Sequence, residues 1–273
     1  VVAAYSIDDW VDDITKAKAV GIDGFALNIG PQDDYTTRQI NLAADAANQV
    51  RDFTLFLSFD YLTAGYPWDA GVVTSMINDF ATKAGSAQYR YNNKPLVSTF
   101  EGVNSAGDWA AIKANTGCFF VPDWTSASPT GIPQANIDGA FSWDAWPHGP
   151  VGKDKSSDLA WQAALGAKPY MMGVSPWFYT NLPGKNWGLR GDGLWSTRWQ
   201  QAVELQPAFV QVRDPSCGAH GSMLMEVDRL SRGTTMAKAT TSAPSSRRVC
   251  PRVRAATSSP IRMTRGGTSS RTI

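Results

Sequence analysis

Four carboxylates stand at or just past the ends of apolar runs: Asp60 in FTLFLSFDY, Glu101 in KPLVSTFEG, Asp123 in CFFVPDW and Asp144 in DGAFSWDAW. Trp124, Trp146, Trp177 and Tyr179 follow them or close later runs, and Asn28 ends an earlier one, GIDGFALNIG. Flat aromatic rings stack on the apolar faces of pyranoses, and carboxylates bind hydroxyls and supply the acid and base of glycosidic cleavage. A strand-end aspartate can also simply cap the next helix, and for any one of these residues that account is the simpler. It loses ground when four runs repeat the pattern. Alternate residues of a strand share a face, so Ser142, Asp144 and Trp146 are expected to look into one mouth while Trp143 packs outward. Ser58 and Asp60 are expected to share a face, as are Thr99 and Glu101. His148 is the only histidine before residue 213, and the three cysteines are widely spaced with no CxxC pair, so no metal is expected. Neither GxGxxG nor GxxxxGK[ST] follows any run, which leaves nucleotide binding unsupported, and no cofactor is expected.

Seven apolar runs must position these groups: Gly21–Gly30, Phe53–Tyr61, Lys94–Gly102, Cys118–Trp124, Asp138–Trp146, Lys168–Trp177 and Pro207–Val212. Helical stretches lie between them. Ile7–Val20 repeats apolar residues at Trp10, Val11, Ile14 and Ala17 before Gly21 stops it. Tyr35–Val50, Asp69–Ala84 and Ser157–Leu165 read the same way, whereas TSASPTGIPQANI after Trp124 is too rich in Pro and Gly for a good helix. Near-continuous apolar strands alternating with helices predict a parallel sheet covered by helices. Seven such units fit a (β/α)8 TIM-type barrel lacking one strand, an α/β fold with its site at the carboxyl ends of the strands.

Composition divides the chain at Val212. All 30 aromatic residues lie between Tyr5 and Phe209, and eleven of them are Trp. Residues 213–273 contain no aromatic residue, ten Ser and eight Thr, with ten Arg and one Lys against Asp214, Glu226 and Asp228. That segment carries +8; the whole chain carries +1, so residues 1–212 carry −7. A tail of this kind is expected to be disordered and foreign to the barrel, a product of out-of-frame or mis-spliced reading. Its scattered charge, with no aromatic to stack on a base, argues against nucleic acid as a partner. No run approaches the ~20 apolar residues of a membrane span, so no membrane partner is expected. The start at Val1, with no Met or signal-peptide pattern, is expected to mark a processed product or a fragment.

On these residues the sequence resembles glycoside hydrolase family 71, the fungal α-1,3-glucanases or mutanases. The matching stretches are Trp10 with Gly21–Gly30, Leu55–Tyr61 (LFLSFDY), Asn92–Gly102 (NNKPLVSTFEG), Phe120–Trp124 (FVPDW), Asp138–Pro147 (DGAFSWDAWP) and Tyr170–Trp187 (YMMGVSPWFYTNLPGKNW). The resemblance implies a secreted or cell-wall-associated monomer that hydrolyses the polysaccharide α-1,3-glucan, endo-type and with inversion. It implies substrate contacts from Asp60, Glu101, Asp123, Trp124, Asp144, Trp146, Trp177 and Tyr179, and Asn28 is expected to join them from its own strand end. Family members begin with a further strand ending in a His-Phe segment, and they extend PAFVQV into a Trp-Asn-Asp-aromatic-Gly-Glu motif that holds the catalytic pair. Here Val212 is followed by RDPSCGAHG, and Asp214 lacks the motif's neighbours. Strand one and most of strand eight are therefore expected to be missing, opening the barrel at that seam. The chain is expected to be inactive as written, or a non-catalytic carbohydrate-binding remnant, with Asp60, Glu101 and Asp123 as fallback catalytic candidates.

Overall fold

The computed structural model describes residues 2–62, 67–149, 151–176, 178–189, 191–213 and 222–226. In chain order its elements are α1 (Ile7–Ala19), β1 (Gly24–Ile29), α2 (Thr36–Val50), β2 (Thr54–Asp60), α3 (Ala70–Ala84), β3 (Arg90–Tyr91), β4 (Lys94–Phe100), α4 (Trp109–Thr116) and β5 (Phe119–Phe120). They continue with α5 (Ser128–Gly131), β6 (Ala140–Ser142), α6 (Ser156–Leu165), β7 (Tyr170–Val174), β8 (Phe178–Leu182), β9 (Lys185–Leu189), α7 (Gly191–Leu205), β10 (Phe209–Arg213) and β11 (Ser222–Glu226).

The helices begin and end where local chemistry dictates. Ser6 caps α1 in a reciprocal box: its hydroxyl accepts from the Asp9 amide, and the Asp9 carboxylate accepts from the Ser6 amide at 2.9 Å. Asp8 and Asp9 in its first turn and Lys16 and Lys18 in its last complement the helix dipole. Trp10, Ile14 and Ala17 form its buried stripe. The Asp69 carboxylate caps α3 by accepting from the amides of Gly71 and Val72. After Trp124 the backbone makes only a 3-10 turn over Thr125–Ala127 and the single-turn α5, in keeping with the Pro and Gly there. Among the described residues no helix is long and apolar enough to cross a membrane.

The seven expected runs each supply a parallel strand. β1 pairs with β2, β2 with β4 and β4 with β5, all parallel. Asp123, just past β5, bridges in parallel to Phe141 of β6, and β6, β7 and β10 continue the ladder. The open seam expected between the first and last of these strands is not observed. β11 lies there, antiparallel to both: Gly24 of β1 faces Leu224, and Val212 of β10 faces Met223. An exposed strand edge is a row of unmet N–H and C=O groups and recruits any extended segment that can reach it. β11 comes from the segment expected to be without structure, so that expectation is corrected for these five residues. The rest of 214–273 lies outside the described residues. β10 pairs with β7 over four residues, Phe209 to Val212, within the last expected run.

Side chains sort by strand parity into two cores. Ala26, Phe56, Leu96, Phe119, Phe141, Met171 and Phe209, one from each parallel strand, pack together inside the barrel. The alternate residues, among them Leu27, Leu55, Leu57, Val97, Phe120, Met172 and Val210, pack outward against the helices. The sheet is thus apolar on both faces, which is why its strands read as continuous runs.

Candidate active site

The same parity decides which strand-end groups face the mouth. Two residues beyond the interior layer, on the same side of their strands, stand Asn28, Ser58, Trp143 and Gln211, with Asp60, Phe100 and Asp123 one step further. The Asn28 amide donates to Asp60 Oδ2 at 3.3 Å, and its carbonyl accepts from the Ser58 hydroxyl at 3.1 Å. The other Asp60 oxygen accepts from the Leu62 amide at 2.9 Å, so β1 and the loop after β2 both hold this carboxylate. The Trp68 indole N–H anchors that loop on the Asp60 carbonyl at 3.0 Å.

Asp123 is 1% exposed. Its Oδ1 accepts from the Thr125 hydroxyl at 2.5 Å and the Thr125 amide at 3.3 Å. The Thr125 hydroxyl in turn accepts from the Trp143 amide at 2.8 Å. The Trp143 ring lies tilted against Phe100, with centroids 4.4 Å apart, and edge-on to Phe141. Trp143 therefore faces the interior side of the barrel, the reverse of the expected arrangement, because it shares parity with Phe141 of the interior layer.

Asp144 correspondingly turns away from the interior. Its carboxylate meets the Lys153 ammonium at 2.5 Å and the His148 imidazole at 3.3 Å. Burial pushes this carboxyl up, but the hydrogen bond and charge of Lys153, helped by Ser157 and His148, more than reverse it and hold it below the ordinary carboxylate range. Glu101 does not share a face with Thr99. Thr99 is buried with the parity of Val97, on the helix side, whereas Glu101 takes a left-handed φ of 55°. That turn brings its carboxylate onto the loop after β5, where one oxygen accepts from the Ser126 amide at 3.2 Å and the other from the Ser126 hydroxyl. Gly102 follows at φ 97°, and a Cβ there would lie 2.5 Å from the Tyr61 ring, so glycine is required.

Of the aromatics expected to meet substrate, Trp124 is fully buried and is corrected. It packs on the helix side, edge-on to Phe120, which stacks on Trp109 of α4. Trp146 is half-buried, stacked on Phe178 with centroids 4.6 Å apart and edge-on to Trp143. Tyr179, on the β8–β9 hairpin, is exposed. Trp177 lies outside the described residues. Sequence reasoning passed over Phe100, Thr125, Trp143 and Gln211; counting parity back from Phe141 would have found Trp143. Behind the mouth, Arg198 of α7 is fully buried and grips Asp158 of α6 with two hydrogen bonds of 2.7 and 3.0 Å. It also donates to the Gly173 carbonyl of β7 at 2.8 Å, while the Tyr170 hydroxyl donates to Asp158 at 2.9 Å. Among the described residues no three His, Cys, Asp or Glu side chains group to hold a metal ion.

The fold has a counterpart among solved structures. A family 99 endo-alpha-mannosidase from Bacteroides thetaiotaomicron shares the fold, with a TM-score of 0.60 over 77% of this chain and 71% of that one at 15% identity. In sequence the chain is similar to a glucan endo-1,3-alpha-glucosidase of Schizosaccharomyces pombe, 38% identical over 224 residues, 76% of this chain and 52% of that protein. A mutanase of Penicillium rubens is 37% identical over 78% of this chain and 48% of its own length. An ascus wall endo-1,3-alpha-glucanase of S. pombe is 30% identical over 76% and 51%. The chain spans about half the length of these relatives. The family model for glycosyl hydrolase family 71 matches residues 1–213, most of the 273-residue chain, and the chain belongs to that family.

Proposed function

We propose that this chain binds α-1,3-glucan in the mouth of its barrel and hydrolyses it endo-wise, as the names of the two Schizosaccharomyces pombe relatives say of them. The observation that carries the reading is the convergence, on one side of the strands, of Asp60 and Asp123 with the aromatic faces of Phe100 and Trp143. Rings of this kind stack on pyranose faces, and carboxylates hold hydroxyls or exchange protons with the glycosidic oxygen and the attacking water. Asn28, Asp60, Asp123, Trp143 and Trp146 are the proposed substrate contacts, with Tyr179 further out on its hairpin. Glu101 and Asp144 are proposed to shape the rim, since Ser126 and Lys153 engage their carboxylates. Residues 1–212 are the proposed glycosidase domain, acting as a monomer, secreted or at the cell wall. Incubation with insoluble α-1,3-glucan should release reducing ends, with oligosaccharide products visible by mass spectrometry. Absence of any product from glucan that the protein nonetheless retains would defeat turnover.

A second reading, glucan binding without turnover, is favoured by one observation. The Trp-Asn-Asp-aromatic-Gly-Glu continuation is absent after Val212. General acid–base groups contribute about two to four orders of magnitude each, so loss of that pair predicts retention of glucan with negligible release of sugar.

A further inference from the structure

The groups proposed to meet substrate from β5 and β6 share one partner that is neither charged nor aromatic. Past Asp123 and Phe141, which bridge in parallel, the two backbones part as the chain enters the Thr125–Ala127 turn. At that point the Thr125 hydroxyl substitutes for a backbone carbonyl and accepts the Trp143 N–H at 2.8 Å. A hydroxyl carries one proton to donate, and here it goes to Asp123 Oδ1 at 2.5 Å. With the Thr125 amide on the same oxygen, Thr125 holds Asp123 Oδ1 by two hydrogen bonds. One side chain thus sets both the carboxylate at the end of β5 and the backbone from which the Trp143 ring projects against Phe100.

We infer that Thr125 is a positioning residue for glucan recognition and cleavage, holding Asp123 and Trp143 in one fixed relation across the β5–β6 boundary. The inference rests on the proposed function, since it takes Asp123 and Trp143 as groups that meet the sugar. A hydroxyl that only closed a turn would make its bonds within that turn; this one reaches 18 residues along the chain, to the residue that follows the neighbouring strand β6. Valine at 125 keeps the branched shape and removes both hydroxyl bonds, whereas serine keeps the bonds and removes a methyl group.

The test compares the full chain with its Thr125→Val and Thr125→Ser variants. Binding of a soluble α-1,3-linked gluco-oligosaccharide is followed by tryptophan fluorescence, reducing-end release gives kcat and KM, and melting temperature gives stability. Thr125→Val should weaken oligosaccharide binding about tenfold, as expected where a group a little out of place loses the cost of its positioning. Any kcat present should fall further, by up to about a hundredfold. Thr125→Ser should stay within about threefold of the parent in both. Binding and turnover by Thr125→Val equal to the parent overturn the assignment while leaving the proposed function standing. Equal losses in both variants, tracking a lowered melting temperature, overturn it in favour of a packing role. A parent chain that neither binds nor cleaves the oligosaccharide overturns the proposed function and this assignment with it.

Discussion

Asp123 and Trp124 are adjacent in the chain just past β5, yet their side chains go to opposite sides of the sheet, and the roles proposed for them divide accordingly. Trp124 is walled in by Phe120 and the helix layer. Trp124→Ala should cost about 3–5 kcal/mol of stability, the usual range for emptying a large aromatic site, measurable by urea unfolding. Trp143→Ala should leave the unfolding midpoint nearly unchanged and weaken glucan retention by roughly 1 kcal/mol or more, through loss of a stacking face. Equal retention by parent and Trp143→Ala would remove that ring from the site. If this chain turns over substrate, Asp60→Asn and Asp123→Asn should each lower the rate by about two to four orders of magnitude without loss of fold. Glu101→Gln should do less, because the Glu101 carboxylate is spent on Ser126.

At the scale of elements, two ion pairs tie the helices to the mouth. Lys153 and Asp144 join the segment before α6 to the end of β6, with side chains 7% and 14% exposed. The Asp144 carboxyl is held below its ordinary range in the fold, so the unfolded chain takes up its proton at higher pH than the native one. The pair's stabilisation is therefore complete above the unfolded carboxylate pKa, about 4, and is lost as pH falls through the lower folded value. Lys153→Met should be about 1–3 kcal/mol less stable at pH 7, and the gap should narrow in acid. A gap of constant size from neutral to strongly acidic pH would show that packing, not charge, carries the effect. The second pair, Arg198 with Asp158, is wholly buried and binds α6, α7 and β7 together. Removing one partner leaves the other charge unpaired in the interior, so Asp158→Ala should cost about 3–5 kcal/mol in a denaturant titration.

The sheet as a whole depends on a strand of the opposite sense. β11 lies between β1 and β10, and without it those two strands present bare edges. A chain ending at residue 213 should unfold at lower denaturant and self-associate through the two edges, which sedimentation at increasing concentration would reveal. A monomeric truncation of unchanged stability would show that β11 contributes nothing to closing the sheet. The interior layer of Phe56, Phe119, Phe141 and Phe209, one large ring on each of four strands, fills the barrel beneath the mouth. Polar groups at the strand ends thus stand on a packed floor rather than around a pore.

Sequence alone determined the parallel strands, the alternation with helices and the kinship, because these are local or additive. Apolar runs such as LFLSF and KPLV are buried on both faces wherever a parallel sheet places them, and Gly85, Gly117 and Gly166 end helices by their own conformational freedom. It also singled out Asn28, Asp60 and Asp123, which stand on the inner side of their strands. Tertiary structure alone decided the facing of Trp124, Trp143, Asp144 and Glu101. Strand alternation has two possible phases, and a period of two does not say which face is the interior; only the packing of Phe141 and Phe120 on opposite sides of the sheet fixes it. The left-handed φ at Glu101 breaks the alternation locally, and no pattern of residue types announced it. The occupant of the seam was equally beyond reach from sequence. Backbone hydrogen bonds carry no side-chain signature, so a strand edge accepts β11 on geometry, from a segment whose composition argued against any structure at all.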